Sequence, residues 1–159
     1  MPETGDTAPD FTVPLANGDV DSFTFSEALA SEGPIVLAFF PGAFTGVCTD
    51  EMCTFQGRLS AFDDVGASVY GISRDSPFAL NEFREQNDLE FGLLSDFNGD
   101  VIGEYGIEMD FEDLGVYGVA KRSVFVVDDD REVVYSWVSD DPGVEPEYAE
   151  VEAAVEETA

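Results

Sequence analysis

PIVLAFFPGAFTGVC, residues 34–48, carries an unbroken apolar run closed by Pro41-Gly42 and followed at once by a cysteine. An apolar run of strand length with a hard stop is the signature of a strand buried on both faces, the centre of an α/β sheet. Working outward, Met52, Phe55, Leu59 and Phe62 recur at helical spacing, so a helix over 49–62 follows the strand, and SVYGIS (68–73) reads as a second strand. Ser76-Pro77 is a cap-plus-proline helix start with Leu80 and Phe83 on its inner face. Upstream, FSEALASEG reads as a short helix stopped by Gly33, and FTVPLANGDVDSF as a hairpin around Asn17-Gly18, a pair that tolerates positive φ. Downstream, SVFVVDDDREVVYSWV reads as two strands joined by an acidic turn and PEYAEVEAAVEE as a closing helix. Between them, GDVIGEYGIEMDFEDLGVYGVAK predicts a short helix over 101–105 and then an irregular loop. The order predicts an α/β sandwich over residues 1–159. Its sheet is mixed, parallel in the middle and ending in an antiparallel hairpin, with a β-hairpin extension at the N-terminus.

The chain has 159 residues, a size at which one core can form, and 44% hydrophobic with 13% aromatic residues supply that core. Its net charge of −29 is spread from Glu3 to Glu157, against one lysine, Lys121, and five arginines. Such a surface suits concentrated salt, where the Debye length falls to about 3 Å at 1 M and carboxylate repulsion is screened, so a halophilic source is expected. Nucleic acid and anionic lipid are excluded as partners, because no basic patch exists to neutralise phosphates. No apolar stretch approaches a membrane span, and MPETGDTAPDF lacks the basic and apolar regions of a signal peptide; a cytoplasmic location is expected.

The only cysteines, Cys48 and Cys53, stand five residues apart in a chain without histidine. A nucleophile, a structural crosslink and a pair of small core residues all fit that spacing. Metal fits poorly, since two thiols without histidine leave a soft-metal site short of ligands, and no cofactor is expected. Positions 48, 52, 55, 59 and 62 share one helical stripe, so Cys48 faces inward at the first turn. Cys53 lies about 140° around the axis, at roughly 100° per residue, and points away. A thiol at a helix N-terminus meets unpaired N–H groups that favour the thiolate, the reactive species. Gly42 and Gly46 permit a close turn, Pro41 stiffens the entry, and Thr45 offers a hydroxyl.

PGAFTGVC resembles the peroxiredoxin signature Pro-x-x-x-Thr-x-x-Cys, met by Pro41, Thr45 and Cys48, and APDF (8–11) is similar to the usual opening of that family. The resemblance continues through LLSDFNGDVIGEYGI and KRSVFVVD, where Arg122 occupies the place of the family's active-site arginine. It implies a thioredoxin-like sandwich and a thiol-dependent peroxidase acting on hydrogen peroxide and organic hydroperoxides in antioxidant defence. In that reading Cys48 is the peroxidatic nucleophile, Arg122 holds the thiolate, Thr45 and the Cys48 N–H position the peroxide, and Pro41 shields the sulfur. Glu51 corresponds to a carboxylate that orients the arginine; as a sequence feature alone it reads equally as a solvated first-turn acid. Cys-x-x-x-x-Cys resembles the bacterioferritin-comigratory-protein branch, in which a second cysteine, here Cys53, resolves the sulfenic acid as an intramolecular disulfide. FFPGAFTGVC also resembles the AhpE-like branch, which uses an external thiol.

The resemblance further implies a thioredoxin-like or low-molecular-weight thiol as reductant and a homodimer as the assembly. Two other functions compete. A thioredoxin-like disulfide reductase would normally need Cys-x-x-Cys, which this chain lacks, and a non-catalytic thioredoxin-fold module would leave Cys48 inert. Arg58 and Arg131 read as surface ion-pairing residues.

Overall fold

The computed structural model describes residues 1–158. The N-terminal hairpin pairs β1 (Thr12–Ala16) with β2 (Val20–Thr24), with Gly18 in its turn. Helix α1 (Phe25–Glu32) follows and ends at Gly33, and β3 (Ile35–Phe39) is buried throughout. Helices α2 (Gly46–Gly57) and α3 (Leu59–Asp64) lead to β4 (Ser68–Ser73). Then come α4 (Pro77–Gln86), β5 (Leu93–Ser95) and α5 (Asp100–Tyr105). Strands β6 (Glu108–Phe111) and β7 (Val116–Ala120) flank a 3-10 turn at Glu112–Leu114. Strands β8 (Ser123–Val127) and β9 (Val133–Val138) and helix α6 (Tyr148–Thr158) complete the fold.

The main sheet has seven strands in the order β2-β1-β5-β4-β3-β8-β9. Its middle, β5-β4-β3, is parallel, and β8 pairs antiparallel with β3. Alternate residues of β3 feed two cores, because successive side chains of a strand point to opposite faces. Ile35, Leu37 and Phe39 join Phe11, Phe25, Tyr105 and Phe125 on one face. Val36 and Ala38, continued by Phe40, join Met52, Phe55, Phe62 and Phe83 on the other, beneath α2, α3 and α4. The expected α/β sandwich with its mixed sheet and N-terminal hairpin is the architecture found.

Three local readings change. The helix expected over 49–62 starts earlier and is two helices: after Gly57, a weak helix former, Arg58 leaves helical geometry at φ −104°, ψ 3°. The apolar stripe survives the break, since Met52, Phe55 and Phe62 are all fully buried. Strand β5 spans three residues, too short for alternation to reveal. The segment expected as an irregular loop is an antiparallel arm, β6–β7, forming a second sheet of its own. No helix among the described residues is long and apolar enough to cross a membrane.

Candidate active site

The carboxyl end of β3 runs through Phe40 into the loop 41–45, and Thr45 begins α2 in extended geometry. Thr45 closes the first helical turn by accepting the N–H of Thr49 on its carbonyl at 3.0 Å. The N–H groups of Gly46, Val47 and Cys48 therefore have no intrahelical acceptor and project from the helix start. Cys48 sits there with 1% of its surface exposed.

Arg122 reaches the same point from the other direction. Because β8 is antiparallel to β3 and Ser123 is registered with Phe39, the residue before β8 lies at the carboxyl end of β3. The Arg122 side chain is buried, and its Nη2 donates to Cys48 Sγ at 3.1 Å. Its Nη1 meets Glu51 Oε1 at 2.6 Å and its Nε donates to the Pro142 carbonyl at 3.1 Å. Burial works against the Arg122 charge, but Glu51 and Cys48 together hold its pKa above the ordinary value. Burial pushes Glu51 up to about 7 against the pull of Arg122. Glu51 Oε2 is buried without a hydrogen-bond partner.

A cleft of about 600 Å³ opens over this centre, lined on one side by Pro41, Thr45, Cys48 and Arg122. The β6–β7 arm also lines it, through Phe111, Leu114, Val116 and Val119. The Thr45 hydroxyl is exposed and donates to the Gly42 carbonyl at 2.8 Å, which fixes its rotamer and leaves its oxygen free to accept. Four of the residues selected from sequence thus share one cleft, and Glu51 stands behind it as a buried partner of the arginine rather than a solvated acid. Cys53 does not join them. It lies exposed on the outer face of α2, its thiol 3.7 Å from Asn87 Oδ1. Burial, with the Asp50 charge added, pushes the Cys53 thiol upward. Arg58 and Arg131 pair at the surface with Glu152 and Asp10.

Sequence reasoning missed Asp75, whose Oδ2 accepts the Ala43 N–H at 2.8 Å and the Ser73 hydroxyl at 2.6 Å. This carboxylate ties the loop before Cys48 to the end of β4, next to Phe44, which is held at φ 67°. A non-glycine residue there costs about 1–3 kcal/mol and persists only where neighbours enforce it. The available signal was SRDS (73–76), a charged polar cluster directly after a buried strand. The Pro142 carbonyl carries no side-chain signature and could not have been found. Asp128, Asp129 and Asp130 are the one grouping of three metal-type donors among the described residues. Asp128 Oδ1 already accepts the N–H groups of Asp130 and Glu132 there, as in an ordinary turn.

The AhpC/TSA family profile matches residues 4–136. The chain belongs to the AhpC/TSA family of peroxiredoxins. A Mycobacterium tuberculosis protein assigned to the peroxiredoxins is 38% identical over 132 residues, covering 83% of this chain and 82% of that one. Peroxiredoxin Bcp of Escherichia coli is 30% identical over 132 residues, 82% of each chain. The crystal structure of peroxidoxin BcpB from Mycobacterium tuberculosis matches with a TM-score of 0.87 at 33% identity, over 100% of this chain and 99% of the other. AhpC of Enterococcus faecalis shares the fold, with a TM-score of 0.85 at 20% identity over 99% of this chain and 92% of its own. The protein is thus a thioredoxin-fold peroxiredoxin of the Bcp type, an enzyme of the thiol peroxidases, and neither a disulfide reductase nor a non-catalytic module. A peroxide substrate and a thiol reductant belong to that family activity.

Proposed function

We propose that Cys48 is the peroxidatic nucleophile of this peroxiredoxin and that it reduces hydrogen peroxide and organic hydroperoxides. The observation that carries the assignment is the 3.1 Å contact between Arg122 Nη2 and the Cys48 sulfur, at a helix N-terminus on the floor of an open cleft. The thiolate attacks one peroxide oxygen and the O–O bond breaks. The sulfur loses two electrons to become sulfenic acid, and the other oxygen leaves as hydroxide or alkoxide and takes from solvent the proton released when the thiol ionised, giving water or alcohol. Arg122 holds negative charge at the sulfur before attack and at the departing oxygen during it, while the Thr45 hydroxyl and the Cys48 N–H direct the peroxide. Pro41 covers the sulfur from bulk water. Glu51 orients Arg122, which leaves the guanidinium plane fixed between sulfur and carboxyl. No further base is needed once the thiol is ionised, consistent with a chain that has no histidine.

Cys53 then closes an intramolecular disulfide with the oxidised Cys48, and a thioredoxin-like protein or a small thiol reduces it, completing an antioxidant cycle. The exposed position of Cys53 supports this role, because its sulfur is open to attack by a reductant. Stopped-flow mixing with hydrogen peroxide tests the assignment of the nucleophile. Cys48→Ser should abolish peroxide consumption; wild-type turnover in that variant would refute it.

A further inference from the structure

Outside the reacting groups, the cleft holds a second arginine, Arg74, which unlike Arg122 has no carboxylate partner among the described residues. It follows β4 directly, in a chain where acidic residues outnumber basic ones 35 to 6, yet it makes no salt bridge among the described residues. Its donors go instead to main-chain carbonyls of two separate segments. Nη1 donates to Gly118 O at 3.1 Å and to Tyr117 O at 3.4 Å, both on the β6–β7 arm. Nη2 donates to Phe97 O at 3.4 Å, in the turn after β5.

The backbone is shaped around this side chain. Gly99 and Gly118 both take positive φ, and a Cβ on either would stand 3.3 Å and 2.9 Å respectively from the Arg74 guanidinium. Two close main-chain approaches to one planar cation form a built socket, with a rigid fork that a lysine could not reproduce.

The socket matters because of what it holds. The base of the arm is anchored, with Ile107 and Ala120 fully buried and Lys121 N–H bonded to Ile107 O at 2.7 Å. Its outer half is not: Leu114 is 75% and Tyr117 59% exposed, and the arm shares no ladder with the main sheet. Among the described residues, the hydrogen bonds from the body to this outer half are those of Arg74. That same half supplies Leu114 and Val116, which form an apolar wall of the cleft that holds Cys48.

We propose that Arg74 is a positioning residue that latches the β6–β7 arm over the cleft and thereby sets the enzyme's preference for hydroperoxides bearing an apolar group. The inference rests on the peroxidase reading of Cys48. An alkyl or aryl substituent gains binding only where the wall is in place, whereas hydrogen peroxide has nothing to lay against it. Loosening the latch therefore acts on the discrimination between the two, and not merely on the overall rate.

The readout is the ratio of the second-order rate constants for Cys48 oxidation by cumene hydroperoxide and by hydrogen peroxide, from stopped-flow fluorescence of the full-length protein. In Arg74→Ala that ratio should fall by at least about fivefold, since apolar contacts of a few methylene equivalents are lost. Arg74→Lys should recover it only in part. Gly118→Ala, which crowds the guanidinium, should lower it in the same direction. Leu114→Asp puts a charge on the wall at an exposed site, keeps the test open if Arg74→Ala fails to fold, and should lower the ratio as well. A ratio within about twofold of wild type in the folded variants overturns the proposal while leaving the peroxidase intact. A wild-type protein inert to both peroxides overturns the peroxidase reading itself, and the proposal with it.

Discussion

Arg122 makes three different kinds of bond at once, to a sulfur and a carboxyl on helix α2 and to a carbonyl in the loop after β9. Only a guanidinium offers donors in that fixed fan, so charge alone does not define the residue. Arg122→Lys is expected to keep a cation near Cys48 and still lower the rate constant for oxidation by about 10-fold or more, with Arg122→Ala about 100-fold or more, measured by stopped-flow. Glu51 adds a pH dependence whose sign can be worked out. Its folded pKa of about 7 lies above the ordinary 4.5, so between those values the unfolded chain has released a proton that the folded chain retains. Stability from this group is therefore full below about pH 4.5 and lost as pH rises through about 7. Glu51→Gln cannot ionise, and urea midpoints at pH 5 and pH 7.5 should differ less in the variant than in the parent. Equal differences in both proteins would show that Glu51 does not titrate in this window.

Helix α2 presents Cys48 inward and Cys53 outward, so the two sulfurs cannot meet while its first turns are intact. On ideal geometry, Cα atoms five residues apart in a helix are roughly 8.6 Å from each other, beyond the 7 Å or so that a disulfide tolerates. If Cys53 resolves Cys48, the start of α2 must unwind after oxidation. One equivalent of peroxide should give a monomer about 2 Da lighter, with a loss of helical circular dichroism; a stable product about 16 Da heavier with Cys53 still alkylatable would assign resolution to an external thiol. The inward and outward positions were legible beforehand because helical spacing alone decides them. Pro41, Thr45, Cys48 and Arg122 were legible because they belong to a spaced motif and a strand boundary. Asp75, the Pro142 carbonyl and the β6–β7 arm were not. A single carboxylate bonding to a distant N–H leaves no periodic trace, and a carbonyl has no residue identity to read. Strands β6 and β7 alternate weakly, with Glu108 and Asp110 outward and half-buried Met109 and Phe111 between them, and glycines at 115 and 118 mask the pairing as loop.

Over the whole molecule, a net charge of −29 is opposed by four ion pairs among the described residues, only one of them buried. Exposed pairs contribute about 0–1 kcal/mol each, too little to offset the mutual repulsion of so many carboxylates in dilute buffer. The melting temperature should rise between 0.05 M and 2 M potassium chloride at neutral pH, since the Debye length shrinks from more than about 10 Å to about 3 Å or less across that range. A flat profile in a scanning calorimeter would disconnect the acidity from salt. The pairing of Ser123 with Phe39 sets a different limit, on the lengths the chain can take. An extra residue at the exposed tip, between Asp129 and Asp130, would only lengthen the turn, beyond Arg131 and Glu132, which pair with the N-terminal segment at Thr7, Ala8 and Asp10. The same residue inserted between Arg122 and Ser123 would carry the guanidinium about 3.3 Å along the sheet and turn it to the opposite face, away from the sulfur. Insertions and deletions are thus a sharper probe of this enzyme than substitutions: tolerance should be high at the tip of the β8–β9 hairpin and vanish at its root.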